Sequence, residues 1–240
     1  MKKNYIIGIV IFLITLFVGI YIAYRILLVP FGISIDKTKY PVTGIDISGH
    51  TGNIDFNKLT KHDIDFIFFK STEGDHFIDK KFEKNYAGLK QTNIPIGVYH
   101  FFRFNKSGKK QAEFFLTVVE NKQFELPYVL DIEDWGNITT KSRTEIITEI
   151  KEFIFAVESR TNKKIIIYTN ESGYNQYIKN NFNKHDIWIC SFSKTPKLDK
   201  KWHFWQYAHN GKFNFANGWI DINTFNGNKN DFKKYINQLY

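Results

Sequence analysis

The sequence predicts an α/β protein: an eight-stranded (β/α)-type barrel whose last three connections have lost their helices, set behind one N-terminal transmembrane helix. Three observations carry this reading. From about residue 43 onward, near-continuous apolar segments alternate with amphipathic ones, the pattern of a parallel sheet covered on both faces. From residue 186 to the end, strand-like runs continue, but the loops between them are too short for full helices. Finally, Tyr5–Tyr24 holds no charge, and a spanning helix needs about 20 apolar residues.

The anchor is expected over residues 1–29. Lys2 and Lys3 precede the apolar run, so the positive-inside tendency keeps the N-terminus cytoplasmic and sends the rest outward. A cleaved signal peptide is the competing reading, but Tyr21-Ile22-Ala23 lacks the small-x-small cleavage pattern. The expected location is therefore the cell membrane, single-pass, with the folded domain extracytoplasmic. Residues 30–42 read as a linker and 43–240 as one barrel domain.

The strands expected in that domain are Thr43–Ser48, Asp65–Ser71, Pro95–Phe102, Tyr128–Glu133, Lys164–Thr169, Asp186–Phe192, Trp202–Tyr207 and Gly218–Asn223. Helical spacing appears at Asp79–Gln91, with Phe82, Tyr86 and Leu89 on one face, and again at Lys106–Asn121 and Glu171–Asn181. Thr139–Arg160 carries Ile146, Ile147, Ile150, Phe153, Ile154 and Val157 on one stripe. Its start is marked by Ser142 and Glu145, which fit a capping box, with Thr139 an equally good cap.

Composition narrows the function classes. Formal charge is +9; Lys2, Lys3 and Arg25 supply three of those, which leaves +6 on the remainder. That excess suits a polyanionic partner or merely a soluble basic surface, and no run of five or six basic residues speaks for nucleic acid. The lone Cys190 excludes an intramolecular disulfide framework. No His-x-x-x-His spacing, glycine-rich phosphate loop or Gly-x-Ser-x-Gly motif occurs, so neither a metal nor a cofactor is expected, and the enzyme should act as a monomer.

The chemistry concentrates at strand ends, where barrels of this type place their function. Asp131 and Glu133 are two apart at the end of an apolar strand, so both point to one face. Each raises the proton affinity of the other, which is wasteful as packing and useful for acid catalysis. Asp46 and Asp221 end other strands in the same manner, followed two residues later by Ser48 and Asn223. Taken singly, Asp46 reads equally well as a helix cap and Asp221 as a turn residue. Tyr99, Phe101, Tyr168, Trp205 and Tyr207 stand at strand ends as core residues or as sugar-stacking rings. Lys70 and Glu73 fit an ion pair closing the barrel mouth, His100 a satisfied structural histidine, and Cys190, on a strand, a poor nucleophile.

Taken together, Gly44-Ile-Asp-Ile-Ser48, Lys70-Ser-Thr-Glu-Gly74, Gly97-Val-Tyr-His-Phe101, Leu130-Asp-Ile-Glu133, Trp205-Gln-Tyr207 and Ile220-Asp-Ile-Asn223 resemble glycoside hydrolase family 25, the Chalaropsis-type lysozymes. The resemblance runs from about residue 43 to 225 and leaves out the anchor and the tail 229–240. It implies an irregular TIM-like (β/α)5(β)3 barrel and cleavage of the β-1,4 bond between N-acetylmuramic acid and N-acetylglucosamine in peptidoglycan glycan strands. It also implies Glu133 as general acid, with Asp46, Asp131 and Asp221 as the other acidic site residues. The expected substrate contacts are Ser48, Lys70, Glu73, Tyr99, Phe101, Tyr168, Trp205, Tyr207 and Asn223. In a substrate-assisted route, Asp131 orients and stabilises the acetamido oxygen while Glu133 protonates the leaving oxygen. A chitin-type hydrolase and a tethered glycan-binding module without turnover remain alternatives.

Overall fold

The computed structural model describes residues 2–28 and 32–238. Its first helix, α1, spans Lys2–Leu28. The side chains described there, Ile6 to Tyr21, are all exposed. Among the described residues, no helix is long and apolar enough to cross a membrane; of the expected anchor, the side chains of 2–5 and 22–28 and the whole of residues 1 and 29 lie outside them.

The remaining elements form a closed barrel. The strands are β1 (Thr43–Ile47), β2 (Phe66–Glu73), β3 (Phe77–Ile78), β4 (Ile96–Phe101), β5 (Val129–Asp131), β6 (Ile166–Asn170), β7 (Asp186–Cys190), β8 (Phe204–Gly211) and β9 (Ile220–Phe225). Pairing runs β1-β2-β4-β5-β6-β7-β8-β9 and returns to β1, so eight strands close on themselves. The first seven lie parallel; β9 is antiparallel to both its neighbours, and β3 pairs back on β2 as a hairpin. All eight expected strands are found, with ends shifted by at most four residues. Strand β5 stops at Asp131, and Glu133 lies in the loop beyond it.

Helices α2 (Phe56–Leu59), α3 (Phe82–Leu89), α4 (Gly108–Val119) and α5 (Arg143–Thr161) cover the outside. The capping box of α5 forms at Ser142 and Glu145, while Thr139 accepts a bond from the Lys141 amide instead. Helix α6 (Glu171–Gly173) runs into a π-turn at Tyr174–Ile178, and α7 (Lys229–Asn237) follows the barrel. Both α2 and α7 were not expected. The signal for α7 was present in Asn228 and Asp231, which form a capping box.

Strand parity divides the core. Inside the barrel, Phe66, Phe68, Trp188, Phe204 and Phe225 interlock, and Phe232 of α7 joins them. Phe68 stacks on Trp188 at 4.7 Å, and Phe232 packs 5.3 Å from Phe225 and 5.4 Å from Phe66. The rings fit because the facing positions are empty: a Cβ on Gly44 would meet the Phe66 ring at 2.2 Å, and one on Gly97 the Phe68 ring at 2.6 Å. The opposite parity, including Ile45, Phe69, Val98, Leu130, Ile167 and Ile189, packs outward against the helices.

Around β7 and β8 few helices cover the sheet. The described part of the segment expected as a linker fills this gap. Gly32 bridges to Ala208, Ile33 donates its amide to the Tyr207 carbonyl (3.1 Å), and Tyr40 packs against Trp202 and Trp205 at 5.7 and 5.8 Å.

Candidate active site

Inward parity brings together Asp46, Lys70, Tyr99, Phe101, Asp131, Tyr168 and Gln206 from the parallel strands with Asp221 and Asn223 from the antiparallel β9. Registers align them: Asp46 sits opposite Asp221, Lys70 beside Tyr99, and Asp131 beside both Phe101 and Tyr168. Glu133, just past β5, interacts electrostatically with Asp46 and contacts the Tyr168 hydroxyl.

Asp46 is held from two sides. Its Oδ2 accepts hydrogen bonds from Gln206 Nε2 (2.8 Å) and Asn223 Nδ2 (2.7 Å). The outer oxygens of those amides are occupied as well, since Asn223 Oδ1 accepts from Trp188 Nε1 (2.8 Å) and Gln206 Oε1 from the Tyr168 hydroxyl (2.8 Å). Both amides are therefore fixed in orientation.

Burial raises all four acids. Asp46 rises to about 6, restrained by its two amide donors and by Asp221. Burial, then the Asp46 charge, takes Asp221 to about 9, so Asp221 keeps its proton and donates it to Asp46. Glu133 is pushed up to about 7 by burial and Asp46. Asp131 lies well above the ordinary carboxylate range because of burial and its neighbour Glu133. Its Oδ1 is buried and meets no hydrogen-bond partner among the described residues. Lys70 acts against the rise at both Asp131 and Glu133. Near pH 6.5 the pocket thus sets protonated Glu133 and Asp221 beside an ionised Asp46, an arrangement that can give up a proton and offset positive charge.

The expected substrate contacts divide. Tyr99 and Tyr168 face the acids, and their hydroxyls are pushed far up by burial and the surrounding carboxylates. Lys70 does bind Glu73 (2.6 Å), which Arg103 also grips through Nε (2.9 Å). Phe101 lies beneath this group, with Lys70 at 5.0 Å and Arg103 at 4.9 Å from its ring centre. Ser48 Oγ accepts the His50 amide and holds the turn after β1. Asn223 is fully buried and positions Asp46 rather than meeting solvent.

Trp205 and Tyr207 are corrected. Both point away from the site into the outer core, where Trp205 is 0 % exposed and donates Nε1 to the Ser191 carbonyl (2.8 Å). The reason is parity: the residue between them, Gln206, takes the inward position. Gln206 was missed, as were Trp188 and the inward thiol of Cys190, which burial pushes well up. His100 is a buried structural residue, bridging Thr72 and Gln111 (2.8 and 3.2 Å), and burial lowers it to about 3. Among the described residues, no group of three His, Cys, Asp or Glu is placed to hold a metal.

A closed barrel that gathers proton-rich carboxyls at one mouth has the parts that glycoside hydrolysis needs. The chain belongs to the glycosyl hydrolases family 25, whose sequence profile matches residues 45–215. A family 25 glycosyl hydrolase from Bacillus anthracis superimposes with a TM-score of 0.78 at 35 % identity, covering 85 % of this chain and 96 % of that one. Lysozyme M1 of Streptomyces globisporus is 32 % identical over 78 % of this chain and 68 % of its own length. The protein YegX of Escherichia coli is 31 % identical over 84 % of this chain and 75 % of its own.

Proposed function

We propose that the enzyme is a peptidoglycan hydrolase cleaving the β-1,4 bond between N-acetylmuramic acid and N-acetylglucosamine. The observation that carries this is the pairing of Glu133, raised to about 7, with the partnerless buried oxygen of Asp131. Glu133 delivers its proton to the leaving glycosidic oxygen. Asp131 Oδ1 accepts the N–H of the substrate acetamido group, which favours its ionised form and aims the acetamido oxygen at the anomeric carbon. Asp46, ionised, offsets the positive charge that develops on the sugar, and Asp221 tunes it through their shared proton. The names of relatives, such as Lysozyme M1 and the N,O-diacetylmuramidase of Arthroderma benhamiae, support this substrate.

Digestion of purified peptidoglycan with mass analysis of the new reducing ends tests the reading. New N-acetylmuramic acid ends are expected; cleavage of chitin oligomers instead, or binding without new ends, would overturn it. Glu133→Gln should lose on the order of 10²–10⁴-fold in rate and still bind glycan. Retained configuration in the first product anomer, seen by NMR, is expected from acetamido assistance, and inversion excludes it.

The charge-free run Tyr5–Tyr24 behind Lys2 and Lys3 supports a membrane anchor with the barrel outside the cytoplasm. On that reading the full chain should fractionate with membranes and a chain lacking residues 1–29 should not.

A further inference from the structure

A second cleft of about 310 Å³ opens next to the acids, between the β2–β3 hairpin and the loops after β4 and β5. Glu73, Phe77, Arg103, Lys106, Asn137 and Ile138 are among its walls. It shares those walls with the site just described. Asn137 Nδ2 donates to the Glu133 carbonyl (2.7 Å), and Glu73 binds Lys70, the cation that acts on Asp131 and Glu133. A substrate seated over the acids can therefore extend a branch into this space.

Its chemistry differs from that of the acid pocket. Two cations, Arg103 and Lys106, and one carboxylate, Glu73, line it; outside the walls Glu73 also pairs with Lys70, and Lys106 with Asp75. Arg103 is fixed in place by Glu73 and by the Gly136 carbonyl. Among the described residues Lys106 is held by Asp75 at 3.1 Å, with about a third of its side chain open. Around them stand apolar side chains that the core does not claim: Phe77, and Ile138 at 91 % exposed. A neutral sugar ring is best held by aromatic faces and close-set hydrogen-bonding groups. A cation excess between apolar rims complements an anionic, partly aliphatic chain.

We propose that this cleft binds the peptide branch of the glycan substrate, placing a peptide carboxylate at Lys106 beside the fixed charge of Arg103. Aliphatic peptide side chains lie against Phe77 and Ile138. The enzyme thereby prefers glycan that still carries peptides over bare glycan. This rests on the peptidoglycan reading above, since that polymer supplies acidic peptides on alternate sugars.

The test uses the full chain and one preparation of peptidoglycan, half of it stripped of peptides by an amidase, with kcat/KM read from reducing ends. The wild type should favour the peptide-bearing half. Lys106→Glu and Ile138→Ser should each cut kcat/KM on that half, Lys106→Glu by roughly tenfold, the scale of one charge-assisted hydrogen bond. Both should leave the stripped half unchanged, and Lys106→Arg should keep the preference. Equal losses on both halves, or a wild type indifferent to the peptides, would overturn the inference. A wild type inactive on both halves would instead remove the peptidoglycan reading, and the inference with it.

Discussion

Glu133 and Asp46 must hold opposite protonation states at one pH, and the pocket separates them by environment rather than by residue type. Glu133 has burial and a neighbouring charge raising it to about 7. Asp46 is buried more deeply, yet two amide donors hold it to about 6. The working form exists between those values, so kcat/KM should peak near pH 6.5, falling on the acid side as Asp46 gains a proton and on the alkaline side as Glu133 loses one. A pH series on a soluble glycan fragment checks this. Gln206→Leu removes one donor from Asp46, which should lower the rate by about ten- to a hundredfold and move the acid limb to higher pH. An unshifted limb would mean that Gln206 is merely structural. The acids themselves were legible in the sequence because carboxylates are costly on apolar strands. Gln206 was legible only through the two-residue alternation, which assigns it and its aromatic neighbours to opposite faces. Large rings at a strand end drew the assignment to Trp205 and Tyr207, although rings pack a core as readily as they meet a sugar.

At the scale of elements, hydrophobic periodicity located every barrel strand and the long helices, because each buries a face large enough to leave a pattern. It failed where the pattern is too short or unlike either period. Strand β3 has two residues and α2 four, too few for any repeat. The segment from Gly32 to Val42 is irregular, so it read as a linker; it nevertheless supplies the cover that β8 lacks, burying Tyr40 against Trp202 and Trp205. A chain beginning at residue 32 should keep the melting temperature of the full barrel. One beginning at residue 43 should melt far lower or aggregate, since the outward rings of β8 would face water. Helix α7 has a comparable role at the barrel base, where Phe232 meets Phe66, Phe204 and Phe225. Phe232→Ala should cost about 3–5 kcal/mol in denaturant unfolding. A loss under 1 kcal/mol would show that α7 merely rests there.

For the whole molecule, gathering four largely buried acids in one pocket trades stability for chemistry. Each has burial as its largest raising cause, so each binds its proton more tightly folded than unfolded. Stability from such a group is fully present below its unfolded value and is lost as pH rises through the folded one. For Glu133 that window runs from 4.5 to about 7, for Asp46 from 3.8 to about 6, and for Asp221 from 3.8 to about 9. The barrel should therefore weaken steadily from about pH 4 to about pH 9, with no disulfide to offset the loss, since its lone cysteine, Cys190, is free. Glu133→Gln isolates one part of this. Near pH 4 both side chains are neutral and of equal size, so variant and wild type should melt together. At pH 8 the wild type holds an ionised Glu133 in the pocket and the variant does not. One pKa unit corresponds to about 1.4 kcal/mol, so the variant should be more stable there by on the order of 3 kcal/mol, several degrees in melting temperature. Melting curves that stay parallel across the whole pH range would show that Glu133 is solvated in the folded chain, and would deny it the raised proton affinity on which general-acid catalysis depends.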